Sequence, residues 1–528
     1  MKSSRILFCL SLAVALLASC KEKETIPDTT PAVLKSFSFN IADNSTLDKD
    51  YAAAEIAEEM IIRIPEGGKG KTLVATLTAG ENDQIKVNDK AVVDGKASVD
   101  CTYPIDIVVT NSKSGLSASY VVKVGKILGT VARKIAEYYE PDAELGMGTE
   151  LSMAVSPVDG MPYLAYLRKA TVDGTKEKNN NVSVVKWNGS SFDAVGKLGL
   201  ADNSSRAVAS PIVITFDKDN APNVLYKGGQ VANLMSVQKF SGSAWEMVGS
   251  SEGISTKFTV AYGIPQFYKN PSTKELGFFY TNSVGKTDPN YRNHTNIEFN
   301  GSEWVNTNSV LPGLPTYAAK GGSDGMFYRA AATNTKDAAW VAVSVNEYGY
   351  YIYKNTGSGW EIVVEGFCPE GETFGIPTNL GIKSDKDDNI YVLAASSKEA
   401  KMQLYKLDEA GKTLTPYADI LSVTAGSYGS VTEQMSFGIN PASGQIVGVL
   451  ENAEGLPQFS FIGSNLRWEA FTLMGEANAV KTEYCIDFAA DGTGYISYIS
   501  QFKDADSQTH NVIQLYKIGL ETDIIPGE

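Results

Sequence analysis

Histidine is almost absent from this chain: His294 and His510 are the only two in 528 residues. A three-histidine metal centre is excluded, and neither residue has a metal-spaced partner nearby in sequence. With two candidate bases at most, serine hydrolysis finds little support. Basic charge is also short, 46 Lys plus Arg against 61 Asp plus Glu for a net charge of -15. Such a balance disfavours nonspecific binding to nucleic acid or to an anionic membrane surface. No apolar run is long enough to cross a bilayer as a helix. No metal or cofactor motif stands in the chain, and none is expected. What remains is 43 % apolar residues spread over a length that one compact core seldom uses. At least two domains are expected, unless a closed repeating architecture absorbs the length.

The first residues read as a targeting segment. Lys2 and Arg5 precede an apolar run over residues 6–17, the length of a signal peptide. The run ends in Leu17-Ala18-Ser19-Cys20, which resembles the lipobox of bacterial lipoproteins. That resemblance implies cleavage before Cys20, acylation of the new terminus, and attachment to a membrane through the lipid alone. Residues 1–19 are then lost, and the mature charge becomes 44 minus 61, or -17. Lys21-Glu22-Lys23-Glu24 is similar to the export signals of surface lipoproteins of the Bacteroidetes, implying an outer-membrane location facing outside. Residues 20–32 read as a lipidated tether. Cys9 leaves with the signal peptide and Cys20 is acylated, so Cys101, Cys368 and Cys485 remain. Three is an odd number, and at least one should be a free, buried thiol; whether the other two pair stays open.

Residues 33–124 read as short strands, at 34–41, 60–64, 73–77, 85–87, 97–99, 105–111 and 119–124. Alternation is clear in Lys35-Ser36-Phe37-Ser38-Phe39 and in Tyr120-Val121-Val122-Lys123-Val124, as half-buried strands require. Strands of this length separated by Gly, Asn and Asp turns fit a small two-sheet sandwich. The opening Ser-Phe-Ser-Phe and closing Ala-Ser-Tyr-Val-Val-Lys-Val strands resemble those of the immunoglobulin-like or cadherin-like modules of Bacteroidetes surface lipoproteins, which implies a stalk.

Residues 125–528 repeat. Val184-Val185-Lys186-Trp187-Asn188-Gly189-Ser190-Ser191-Phe192 returns as Val237-Gln238-Lys239-Phe240-Ser241-Gly242-Ser243-Ala244-Trp245. It returns again around Phe299-Asn300-Gly301-Ser302-Glu303-Trp304 and Asn355-Thr356-Gly357-Ser358-Gly359-Trp360. The glycines supply the positive backbone angles of a tight hairpin, and the aromatics stack across it. Worn copies begin near Leu404, Phe459 and Ile513. Upstream of each hairpin lies a second turn, at residues 158–162, 217–222, 270–274, 385–389, 440–444 and 491–494, with Ser323-Asp324-Gly325 proposed for the fourth unit. Four strands per unit at this period is the signature of a β-propeller. The expected fold is therefore all-β, a small β-sandwich followed by a propeller of seven blades, with six or eight as alternatives. The last unit has three strands, and residues 127–139 are expected to supply its outermost one and close the ring, removing the free edges.

Anchor, module and propeller together resemble uncharacterised propeller lipoproteins of the Bacteroidetes, and the hairpins more distantly resemble kelch and sialidase propellers. The repeated kelch double glycine and the full Ser-x-Asp-x-Gly-x-x-Trp box are missing, so neither activity is carried over. Asp217-Lys218-Asp219-Asn220 and Asp385-Lys386-Asp387-Asp388-Asn389 look like calcium loops but read as turns, since Ile390 stands where a calcium-binding hand needs Gly. Trp187, Trp245, Trp304, Trp360 and Trp468 recur with the hairpins and read as packing.

In such a scaffold the loops between second and third strands share a face with the sheet-to-sheet connections. The repeat phase puts residues 171–181, 227–231, 282–294, 331–338, 396–400 and 501–509 on that face. Arg206, Tyr262, Tyr291, Arg292, His294 and Tyr428 are the ligand-binding candidates, since Tyr and Arg can stack on a sugar and hold a carboxylate or hydroxyl. The expected function is non-catalytic recognition of an extracellular glycan or protein, by a monomer or a component of an envelope complex. The alternative is a polysaccharide-degrading hydrolase or lyase with carboxylates drawn from Asp202, Glu433 and Glu483. A purely structural envelope component is the third possibility.

Overall fold

The computed structural model describes residues 28–47, 50–53, 55–64, 70–126, 130–140, 143–145, 151–172, 175–176, 181–200, 209–227, 235–249, 254, 265–281, 294–315, 328–345, 348–368, 377–396, 399–418, 421–422, 436–451, 456–463, 466–475, 484–504 and 507–520. Regular structure among them is all β, with no helix. The chain divides into two compact units, residues 1–128 and 129–528.

The first unit is a two-sheet sandwich. One sheet runs in the order Tyr51–Ala52, Leu34–Phe39, Thr72–Ala79, Lys96–Asp100. The other runs Glu59–Ile64, Ser117–Lys126, Ile105–Asn111, Asp83–Val87, Lys90–Ala91, and its first pair is parallel. Burial alternates along Ile105–Asn111 and through most of Thr72–Ala79, because one face meets the core and the other meets water. Phe37, Phe39, Ile62, Ile64, Leu77, Ile107 and Val109 fill that core with Cys101, a free thiol whose pKa burial raises to about 11. The two shortest strands escape a reading of periodicity, since two residues carry none.

The second unit holds seven sheets among the described residues. Each has four main strands in simple sequential order, and the seventh takes Cys485–Phe488, Gly494–Lys503 and Thr509–Leu520 from the end of the unit and Thr130–Tyr138 from its beginning. The expected closure by the strand after the sandwich is therefore observed, in antiparallel register from Thr130 opposite Leu520 to Tyr138 opposite Ile513. The innermost strands meet in cyclic order: Leu151–Val155, Ala209–Phe216, Gln266–Lys269, Tyr328–Asn334, Pro377–Ser384, Ser436–Ile439, Cys485–Phe488, and back to Leu151–Val155. This is the arrangement of a β-propeller.

Seven apolar clusters lie at the seven seams, each made by two consecutive sheets. In Pro162–Val172, Ala165 and Leu167 face the second sheet while Leu164 and Tyr166 face the seventh. Both faces are buried, which is why these strands read as continuous apolar runs where those of the sandwich alternate. Hydrogen bonds tie the inner strands: Val155 N–H donates to Asp487 Oδ2 at 2.7 Å across the closing seam, and Asn334 exchanges two bonds with Lys269 at 2.9 and 2.8 Å.

The repeated hairpins join third and fourth strands. Trp187 lies opposite Phe192, Phe240 opposite Trp245, and Phe299 opposite Trp304, with ring centroids 5.2, 5.3 and 5.3 Å apart. Gly189, Gly242 and Gly301 turn these corners at φ of 101°, 94° and 97°. The tryptophans also staple sheets together: Nε1–H of Trp245 donates to Val195 O at 2.7 Å, and that of Trp304 to Val248 O at 3.0 Å, each in the preceding unit.

The fourth sheet corrects the sequence reading. Its first two strands are Tyr328–Asn334 and Ala339–Val345, so residues 335–338 form the inner turn. Residues 331–338, expected as a loop on the opposite face, are thus the end of a first strand and that turn. Three consecutive alanines carry neither β-branching nor alternation, and this strand is fixed by the neighbours that cover it rather than by its own propensity. The proposed turn at Ser323-Asp324-Gly325 lies outside the described residues.

Candidate functional site

Of the six ligand-binding candidates, the structure places one. Arg206, Tyr262, Tyr291, Arg292 and Tyr428 lie outside the described residues, as do Cys20 and the carboxylates Asp202, Glu433 and Glu483. His294 opens the strand His294–Phe299 opposite Thr281 and is 2 % exposed. Burial lowers its pKa to about 4, so the imidazole is neutral. It is a wall of the third sheet rather than part of a loop surface, and it offers no face to a ligand arriving from solvent.

The turn-like acidic stretches are turns. Asp385 accepts from the backbone N–H of Asp387 and Asn389 at 2.9 Å each, from Asn389 Nδ2 at 2.8 Å and from Tyr391 OH at 3.1 Å. Burial opposes its ionisation, yet these donors outweigh it and hold the carboxyl below the usual range. Asp217 is bound in the same way by Asp219 N, Ala221 N and Asn223 Nδ2, with Lys239 Nζ 2.7 Å away.

A cleft of about 620 Å³ opens on the loop face between the sixth and seventh sheets. One wall is Met474 and Gly475, which follow the last strand of the sixth sheet, Trp468–Leu473. The seventh sheet supplies the rest: Tyr498, Ser500, Gln501 and Phe502 from its second strand, Val512, Gln514 and Tyr516 from its third, and Lys134, Glu137 and Tyr139 from or beside the closing strand. Gly475 permits the close approach, since a Cβ there would stand 3.2 Å from Tyr516 Oη and 3.4 Å from Tyr498 Oη. These two buried rings stack with centroids 5.8 Å apart, and their hydroxyls meet at 3.2 Å. Burial raises both phenol pKa values, so they stay neutral.

The rim is aromatic. Phe502 is 38 % exposed, 5.2 Å from the ring of Tyr139 and 5.4 Å from that of His510. The Tyr139 hydroxyl lies 3.3 Å from His510 Nδ1, while His510 Nε2 meets Asp504 Oδ2 at 2.7 Å. Deeper in, Gln514 Nε2 donates to Glu137 Oε1 at 3.1 Å and to Ser500 Oγ at 2.9 Å. Lys134 pairs with the same Glu137 oxygen and, with Gln514, holds that carboxyl below its ordinary pKa. Gln501 Nε2 donates to Asn511 Oδ1 at 2.9 Å. Among the described lining residues Glu137 is the one carboxylate. An apolar ring beside amide, hydroxyl and carboxylate groups is the chemistry of reversible recognition of a polar, partly apolar molecule.

One segment named from sequence, residues 501–509, reaches this site; the residues that build it were not among the candidates. Tyr139 falls in the strand expected to close the ring, and His510 has no metal-spaced partner in sequence. The signal was present in the closure itself, which brings the Tyr138-Tyr139 pair alongside the strand that begins at Thr509.

No family model and no curated protein matches the sequence. Among solved structures, the chain is similar to the BP39L lectin of Burkholderia pseudomallei at 11 % identity and a TM-score of 0.45, over 70 % of this chain and 95 % of that one. It is similar to AofleA of Arthrobotrys oligospora at 11 % identity and a TM-score of 0.40, over 67 % and 91 %. A Dyadobacter fermentans protein of unknown function aligns at 11 % identity and a TM-score of 0.39, over 74 % and 99 %. Scores this low assign the chain neither a family nor a ligand.

Proposed function

We propose that this chain is a non-catalytic recognition protein that binds an extracellular glycan through the cleft between the sixth and seventh sheets. The observation that carries the reading is the cleft's composition: an exposed phenylalanine ring at the mouth, next to Tyr139, above side-chain amides and a carboxylate already fixed by hydrogen bonds. A pyranose has an apolar face for the ring and hydroxyls for the polar floor. The scaffold is a seven-bladed propeller, supported by seven sheets and seven seam cores in cyclic order. An immunoglobulin-like stalk precedes it, and acylation at Cys20 holds the protein to the outer membrane, facing outside; the lipobox-like Leu17-Ala18-Ser19-Cys20 supports the anchor.

The test is a glycan-array screen of the soluble chain from residue 26 onward, with reducing-end and product analysis of every hit. Binding without turnover, lost in Phe502→Ala, is the expected result. Product formation overturns the non-catalytic reading, and binding that survives Phe502→Ala removes the site from this cleft. Absence of any hit turns the proposal toward a protein ligand. Metabolic labelling with palmitate, present in the wild type and lost in Cys20→Ala, tests the anchor.

A further inference from the structure

Resting on that reading, we propose that the cleft selects a neutral saccharide, one that gives hydroxyl protons to the protein, and rejects acidic saccharides. The selection follows from which groups around the cleft still have hydrogen-bonding capacity, and of which sign.

Gln514 is the central case. The residue is 6 % exposed, and its amide nitrogen donates to Glu137 Oε1 and to Ser500 Oγ. A carboxylate held ionised can only accept, so the nitrogen must be the atom facing Glu137 and the orientation of the amide is settled. Its carbonyl Oε1 is then left without a donor among the described residues. A buried acceptor in this state is costly, and a ligand hydroxyl that reaches it removes the cost.

Glu137 points the same way. Lys134 and Gln514 both meet Oε1, leaving Oε2 with no donor among the described residues, on a side chain 49 % exposed. Tyr139 makes a third acceptor through its partners. Asp504 accepts from His510 Nε2, and the tautomer with its proton on that nitrogen leaves a lone pair on Nδ1. In that tautomer the Tyr139 hydroxyl, 3.3 Å from Nδ1, donates to it and keeps its own lone pairs for the cleft.

Three acceptors of different kinds therefore ask for donors. The single cation among the described lining residues, Lys134, is engaged by Glu137. A ligand carboxylate would bring negative charge toward Glu137 with no uncommitted cation to meet it, against a chain that is already at -15. Sugar hydroxyls supply the missing donors, and the exposed ring of Phe502 takes the apolar face.

The test is calorimetric titration of the full mature chain in detergent micelles with the methyl glycosides of glucose and galactose, and with the matching uronic acids. Neutral glycosides should bind, the uronic acids should bind at least about tenfold more weakly, and Gln514→Leu should weaken neutral binding by about tenfold by removing the acceptor. Tyr139→Phe, at the rim, serves the same purpose if Gln514→Leu does not fold. Uronic acids that bind as tightly as their neutral counterparts, with both losing affinity in Phe502→Ala, overturn the selectivity and leave glycan recognition standing. Neutral binding unchanged in Gln514→Leu and in Tyr139→Phe overturns the acceptor argument. Absence of binding by either class sinks both the selectivity and the glycan reading.

Discussion

Protonation of His294 should cost the propeller unit stability in mild acid, and the amount follows from the structure. The imidazole is buried in the third sheet, and desolvation takes its pKa from 6.5 to about 4. In the unfolded chain the ring titrates near its ordinary value, so between the two values the unfolded state binds the proton and the folded state does not. Stability is therefore lost as pH falls through 6.5, and the loss saturates below the folded value. At 1.36 kcal/mol per unit the full effect is about 3 kcal/mol, of which about 2 kcal/mol is already lost at pH 5. Urea unfolding followed by tryptophan fluorescence isolates this unit, because all six tryptophans lie between residues 187 and 468. Between pH 7 and 5 the wild type should lose about 2 kcal/mol more than His294→Gln, and carboxylates common to both cancel in the difference. Imidazole NMR gives a direct reading, since the chain has two histidines and His510→Gln assigns the other. Equal pH slopes for wild type and variant, or a His294 resonance titrating near 6.5, would refute the burial argument.

Trp304→Phe removes the indole donor to Val248 O and thins the seam between the second and third sheets; a loss of about 1–3 kcal/mol in urea is expected, and an unchanged midpoint would show that the staple is idle. Gly448→Ala places a methyl 2.9 Å from the Trp468 ring with the backbone of Ser436 behind it, so overpacking should cost about 1–3 kcal/mol, read in the same assay. Asp385→Ala strips one acceptor from four donors and should lower the unfolding temperature, whereas millimolar calcium should leave the wild type where it is; a calcium-dependent rise would reverse the turn assignment.

Much of the architecture was legible because it is written locally. A hairpin such as Trp187 to Phe192 needs only an aromatic, a glycine with positive φ and a second aromatic within one turn, so its copies announce the period. The strands of the sandwich show their alternation for the same reason. The fourth sheet resisted because Tyr328–Asn334 carries three small residues, and its identity comes from the sheets on either side. The cleft resisted more completely. Tyr139 and His510 are 371 positions apart and meet only once the ring is closed. Even a correct closure would not have aimed the side chains, because a bulge between Lys134 and Ala136 shifts the register and thereby changes which face each later residue takes.

That bulge bears on the location of the cleft. Six of the seven sheets are built from continuous sequence, and the seventh joins strands from opposite ends of the unit. Lys134, Glu137 and Tyr139 come from the N-terminal strand, and the other lining residues of the seventh sheet come from its C-terminal strands. A ligand held by both sets bonds the two ends of the ring to each other, so binding and closure share free energy: whatever stabilises the closed ring organises the cleft, and a ligand in the cleft stabilises the closed ring. A bulge in the closing strand re-aims its side chains just where the ladder is sealed, which places Glu137 and Tyr139 toward the gap between sheets while Tyr138 turns to the core shared with the first sheet. Gln514 Oε1, a buried acceptor without a donor among the described residues, lies in this same sheet, so the strands that complete the ring also carry the unmatched acceptor beside the cleft.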